Sequence, residues 1–307
     1  MLAFVLRRLA SVPLLLFFVV VATFFLMRAI GGSPFRLEFG GVPAALQVQL
    51  TTFYGLEEPW YVQLWIHIQH LVTLDFGPSL VDRYVTVDGV IEQRVPVSLE
   101  LAALAIAWAI PIGGALGVYA ALRRGTRLDT LATSFSTVLL VVPVFLFAEV
   151  SSTYLVWDWG LFPPGWEAGR TKLLAAFVLA LAPAGYVARV VRAGVVQTLQ
   201  EDYVRTARAK GLRLSRVVGV HVLRNSAAPF LAAAVPTMAL LITAAFFVEQ
   251  AFAIPGAADY FVASAKTRDY PMVMGLTVVL ALVVIAANLV ADVLAAALDP
   301  RLRERRT

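Results

Sequence analysis

The sequence predicts an all-α, polytopic membrane protein with six transmembrane helices and both termini in the cytoplasm. Three observations carry that expectation. Of 307 residues, 60% are hydrophobic and 15% charged; six apolar stretches approach the length a bilayer demands; and the basic residues gather in alternate connections. The mean hydropathy of +0.80 agrees. Cysteine is absent, which excludes disulfides, thiolate nucleophiles and Cys-based metal sites.

A helix needs about 20 mostly apolar residues to cross a hydrocarbon core of roughly 30 Å. The first such run is 9–30, preceded by Arg7 and Arg8. It exceeds the roughly 7 to 15 apolar residues of a secretory signal, so it reads as a retained helix. The others fall at 97–122, 131–156, 173–188, 230–254 and 272–298, the fourth being the shortest. Pro111, Pro143, Pro183 and Pro236 lie inside apolar segments, where neighbouring helices can satisfy the carbonyls a proline frees.

An even number of crossings places both termini on one side, and 17 of the 25 Lys and Arg residues fall on that side. The positive-inside rule makes it cytoplasmic. The chain is thereby parsed into a tail and first helix (1–30), an extracytoplasmic loop (31–96), a five-helix core (97–298) and a basic cytoplasmic tail (299–307). Topology accounts for the pI near 9.7, so no nucleic-acid partner is expected.

The outer loop is too long to be a mere connector. Within it, "EEPWYVQLWIHIQHLV" (57–72) reads as an amphipathic helix. Pro59 suits its first turn, Glu57 and Glu58 its N-terminus, and Trp60, Leu64, Ile68 and Leu71 recur at helical spacing. Its tryptophans favour a position in the outer interface. His67 and His70 lie three apart but lack a third ligand nearby, and read as exposed interfacial histidines rather than a metal site.

The second long connection, 189–229, carries eight basic and two acidic residues. Simple topological bias would explain their number. It would not explain helix-forming residues up to Gly211 followed by the periodic run Leu214, Val217, Val218 and Val222, a pattern of helix, glycine break and helix. A short helix at the tip of a loop suits a groove on a partner.

Here the residues resemble a known family. "DYVRTARAKGL…HVLRN…P" (202–229) is similar to the cytoplasmic coupling loop of binding-protein-dependent ABC importer permeases, in the dipeptide/oligopeptide/nickel subgroup. Gly211, Ala207 and Leu223 match the family's loop pattern. Arg205 and Thr206 stand in place of its Glu-Ala, as in the peptide-permease subgroup. "GLEEPWYVQLW", "DFGPSL", "VPVSLELA", "AIPGAADYFVASAKTRDYPMV" and "LDPRLR" resemble further family segments in the same order. "RAIGGSPF" (28–35) departs from the usual exit of the first helix.

The resemblance implies one half of a translocation pathway, completed by a second, non-identical permease chain, two ATPase subunits and an extracytoplasmic substrate-binding protein, in a bacterial or archaeal cytoplasmic membrane. Peptides are the implied cargo; a nickel chelate, glutathione or an oligosaccharide are the alternatives within the subgroup. The chain has no Gly-Lys dipeptide and so no phosphate-binding loop, which assigns ATP and Mg2+ to the partners and leaves this chain without a cofactor. Glu201, Asp202, Tyr203, Arg205, Thr206, Ala207, Arg208, Ala209, Lys210, Gly211 and Leu212 are the implied docking residues. Gly211 would supply the turn, Ala207 and Ala209 close approach, and Arg205, Arg208 and Lys210 polar contacts.

Glu100, Glu149 and Glu249 fall in or near the outer parts of apolar segments, and Asp292 nearer an inner end. Intramembrane carboxylates are functional candidates, here for a pathway or gate, although interfacial hydration or an interhelical pair is the plainer reading of each. A proton-coupled secondary transporter is the rival, but no convincing repeat relates the two halves. Neither H-E-x-x-H nor G-x-S-x-G occurs, and no catalytic residue is expected.

Overall fold

The computed structural model describes residues 2–31, 35, 43–82, 84–167, 169–209, 241 and 244–298. Apart from one antiparallel bridge between Pro78 and Thr86, the regular structure among these residues is helical. In chain order the helices are α1 (Leu2–Ile30), α2 (Ala44–Tyr54), α3 (Trp60–Thr73), α4 (Val87–Leu122), α5 (Arg127–Val141) and α6 (Val144–Ser151), which runs into a π-helical segment (Ser152–Asp158). There follow α7 (Gly169–Thr198), α8 (Asp202–Ala209), α9 (244–251), α10 (Ala257–Thr267) and α11 (Tyr270–Leu298).

Among the described residues α1, α4, α7 and α11 are long and apolar enough to cross a membrane, and α5 with α6 and its π segment is a fifth if that bent pair is one span. A bend of 88° breaks the single span expected over 131–156. Pro143 causes it: the residue before a proline is pushed out of the helical region, and Val142 is extended at φ −68°, ψ 124°. Pro111 and Pro183 instead sit inside α4 and α7. Of the expected span 230–254, only 241 and 244–254 are described, and Pro236 lies outside the described residues.

Two helices overrun their apolar windows. The expected fourth span, 173–188, is part of the 30-residue α7, because Arg189 and Arg192 end a hydropathy window without ending a helix. Likewise α4 starts at Val87, ahead of 97, with the Thr86 hydroxyl accepting from the Gly89 N–H at 3.1 Å. A cap defines that start, not hydropathy.

The chain divides into two compact units. One comprises Leu2–Leu99 and Pro255–Ala286. Its core joins Val20 and Phe24 of α1 to Phe76, Val87, Val90, Met272 and Leu276, and Leu64, Ile68 and Leu71 of α3 pack on it. The expected apolar stripe of α3 therefore faces protein, while Trp60 and Trp65 are exposed. Asp269 fastens the loop after α3 to the start of α11. Its carboxylate accepts from the Ser79 hydroxyl, from the Leu80 N–H at 3.2 Å and from the Met272 N–H at 3.4 Å. Burial pushes its pKa up, against the pull of these hydrogen bonds. The Tyr54 hydroxyl lies 3.0 and 2.6 Å from the carbonyl oxygens of Phe76 and Pro78, which share its one proton. Burial raises its pKa far enough to keep it a donor.

The second unit is built on Glu100–Ile254 with the end of α11, and α7 is its axis. A Cβ on Gly113 or Gly117 of α4 would lie 2.5 Å from the carbonyl oxygen of Ala184 or Ala188, and one on Gly185 of α7 would lie 2.5 Å from that of Ser136 in α5. Backbone therefore meets backbone on two sides of α7, as small residues allow between apolar helices. Gly114, by contrast, faces open space. Gly117→Ala should lower stability by about 1 to 3 kcal/mol through overpacking, whereas Gly114→Ala should raise it by up to about 1 kcal/mol through helix propensity. Thermal unfolding of both variants in detergent checks the pair; equal effects would refute the contact.

Candidate functional site

The residues expected to dock a partner start where α7 ends. Leu199, Gln200 and Glu201 turn the chain, with the Glu201 N–H donating to Thr198 O at 3.2 Å, and α8 follows with Asp202 in its first turn. An acidic residue there suits the positive end of the helix dipole. The Thr206 hydroxyl donates back to Asp202 O at 3.0 Å. Asp202, Tyr203, Thr206 and Ala209 are exposed, whereas Val204 is wholly buried among Ala121 of α4 and Val187, Val191 and Val195 of α7. Among the described side chains of α8, Val204 is the one that seats the helix. The backbone of Arg205, Ala207 and Arg208 is helical; Lys210, Gly211 and Leu212 lie outside the described residues, as does the expected second helix of this loop.

Beside this seat, Arg192 of α7 forks onto Asp129 of α5, its Nε 2.7 Å from Oδ1 and its Nη2 2.8 Å from Oδ2. The same carboxylate accepts from the Gly125 N–H at 3.0 Å, and Thr126 caps α5 by accepting from the Asp129 N–H. The α4–α5 turn, α5 and α7 are thus tied at one point. A bidentate pair fixes orientation as well as distance. Val204, Asp129 and Arg192 were not among the residues expected from the sequence. A Thr-x-x-Asp capping pattern at 126–129 was there to be read, as was the Gly113-x-x-x-Gly117 spacing; the partner of Asp129, 63 residues away, was not.

The three candidate pathway carboxylates sit in different settings, all within the second unit. Glu100 of α4 accepts from Lys172 of α7 at 2.7 Å, and that ammonium also lies 4.4 Å from the Trp166 ring centroid. Glu149 is exposed on α6, and Glu249 is buried on α9. The helices carrying these last two touch: Phe145 and Phe247 rings are 6.0 Å apart, and the Ser152 hydroxyl donates to Ala251 O at 2.6 Å. Asp292 lies on α11.

The histidines depart from the expected exposed pair. His67 is 8% exposed, with Phe24 edge-on at 5.9 Å and Tyr54 stacked at 6.3 Å. Its place on the core side of α3, three residues after Leu64, dictates the burial. His70 Nδ1 lies 2.6 Å from Asp75 O. Desolvation, followed by the charge of His70, pushes the His67 pKa down to about 4.

Known proteins resemble this chain along its length. Residues 113–304 match the family described as binding-protein-dependent transport system inner membrane component. The chain is 35% identical over 301 residues to the dipeptide transport system permease protein DppB of Bacillus subtilis (strain 168), spanning 98% of this chain and 97% of that protein. It is 34% identical over 309 residues to the oligopeptide transport system permease protein OppB of Haemophilus influenzae, spanning 99% and 100%. In fold it is similar to a chain of the MetNI methionine ABC transporter in a structure of inward-facing conformations. That match has a TM-score of 0.54 at 18% identity over 66% of this chain and 94% of that one.

Two outcomes follow from the side chains above. Replacing Asp129 by Ala strands the Arg192 guanidinium and the Gly125 N–H, and should cost about 2 kcal/mol. In a double-mutant cycle with Arg192→Leu, a coupling of about 1 kcal/mol or more in thermal unfolding is expected, and additive effects would refute the strut. For His67, the unfolded chain takes up a proton near pH 6.5 that the folded chain refuses until about pH 4. Stability from this site is therefore complete above pH 6.5 and falls by about 3 kcal/mol as the pH drops to 4. His67→Phe should flatten this part of a pH–stability curve; parallel curves would count against the buried neutral imidazole.

Proposed function

The chain belongs to the family of binding-protein-dependent transport system inner membrane components, and we propose from that premise that it forms half of the translocation pathway of an ATP-driven peptide importer. The full-length likeness to a dipeptide permease, at 35% identity, carries the reading. On it, the chain crosses the cytoplasmic membrane of a bacterium or archaeon six times, with both termini inside, and pairs with a second, non-identical permease. A binding protein delivers peptides outside, and two ATPase subunits with their ATP and Mg2+ work inside.

The loop 201–212 is the coupling element, α8 its first part. A helix seated by the buried Val204, with Thr206 and Ala209 exposed, supports this role, because a docked partner moving α8 would drag α4 and α7 through Val204. The Asp129–Arg192 pair passes the same displacement to α5. Lys210, Gly211 and Leu212 complete the docking surface, with Gly211 as its turn. Glu100, Glu149 and Glu249 are the pathway candidates, and Glu249, just before "AFAIPG", is the foremost.

The test is gentle extraction from the native membrane followed by mass spectrometry of what co-purifies, with uptake measured after reconstitution. A second permease, phosphate-loop ATPases, a binding protein carrying peptides and ATP-dependent uptake are expected. Recovery of the chain alone with proton-coupled uptake would overturn the proposal in favour of a secondary transporter.

A further inference from the structure

A cavity of about 540 Å3 lies in the unit containing α1, within the range of roughly 300 to 1,000 Å3 typical of small-molecule sites. Four helices and one turn frame it: the end of α1, α2, the α2–α3 turn, α3 and the first turn of α11. Its floor is apolar, from Phe24, Met27 and Met274, each no more than 5% exposed. The buried His67 ring completes the floor.

Two opposite charges stand at the mouth. Arg28 lies on the last turn of α1 and Glu57 in the α2–α3 turn; both line the cavity and are exposed. Neither makes an ion pair or a side-chain hydrogen bond among the described residues. Gln63 fixes the turn that carries Glu57, because its amide nitrogen donates to Leu56 O at 3.0 Å and to Glu58 O at 2.8 Å. Gln63 also lines the cavity, and that use of both N–H groups leaves its carbonyl oxygen to accept from a ligand.

We propose that this cavity binds a small zwitterion, an amino acid or dipeptide with an apolar side chain. Its carboxylate meets Arg28, its ammonium meets Glu57 and Gln63, and its side chain rests on Phe24, Met27 and Met274. Each part of the lining selects for this class. An arginine fork matches a carboxylate, and a carboxylate opposite disfavours a polyanion. Among the described residues no group of three His, Asp or Glu could hold a metal ion. The choice of a peptide-type zwitterion over other zwitterions rests on the permease reading. The site would then be an outer holding place on the permease itself, separate from the candidate carboxylates of the other unit.

The test is equilibrium binding of radiolabelled leucyl-leucine to the full chain in nanodiscs of phosphatidylglycerol, which offer no ammonium headgroup. Saturable binding is expected, with a loss of about tenfold, or about 1.4 kcal/mol, in each of Arg28→Gln and Glu57→Gln, and no displacement by the acetylated, amidated dipeptide. Both positions are exposed, so thermal unfolding should be unaltered. Binding that survives both substitutions, or displacement by the capped dipeptide, would overturn the site. So would loss of binding once phosphatidylethanolamine is added, which would assign the charges to a lipid headgroup. Uptake measured on the same preparations separates the two proposals: ATP-dependent uptake without cavity binding refutes only this one, and absence of such uptake with partners present refutes the permease reading.

Discussion

Between apolar helices surrounded by lipid, the hydrophobic effect offers little reason for one surface to choose another, so close packing and a few polar ties must set the arrangement. In this protein the constraint is concentrated on α7. Gly113 and Gly117 let α4 approach it until a Cβ would collide with its carbonyls, and Gly185 lets it approach α5 in the same way. A helix held at van der Waals contact on two sides has little freedom to slide. The rest of that unit takes its geometry from this contact.

The polar ties of the unit are added where the packing leaves room. The Asp129–Arg192 fork lies where α5 begins and α7 nears its end; a partly buried charge pair is a poor source of net stability but a good source of register. Val204 uses the adjoining apolar surface of α4 and α7. A force applied to α8 would therefore act on a packed set of helices.

The other unit solves a different problem, that of ordering a polar loop outside the spans. Asp269 does this from a buried position by spending its carboxylate on the Ser79 hydroxyl and the N–H groups of Leu80 and Met272, so no acceptor is wasted where water cannot reach. Tyr54 repeats the device with its hydroxyl between two carbonyls. His67 fills the space beside Tyr54 as a neutral ring, one wall of the cavity at the end of α1.

Hydropathy, charge bias and periodicity, local properties that the bilayer reads directly, were enough to set the class of the protein, the rough place of most spans and the helix before Gly211. The sequence also carried the family likeness, since "DYVRTARAKGL" and its companions are contiguous. Tertiary structure alone decided what each of these elements touches. Hydropathy ended the fourth span at Arg189 because it could not know that Arg192 would find Asp129. It left His67 exposed because the Phe24 and Tyr54 rings that cover it come from α1 and α2. It placed Pro143 inside one span, whereas the extended Val142 turns the chain through 88°. The cavity beside Arg28 and Glu57 was the least legible feature, because it exists only where segments more than 200 residues apart in the chain, α1 and the start of α11, are packed together.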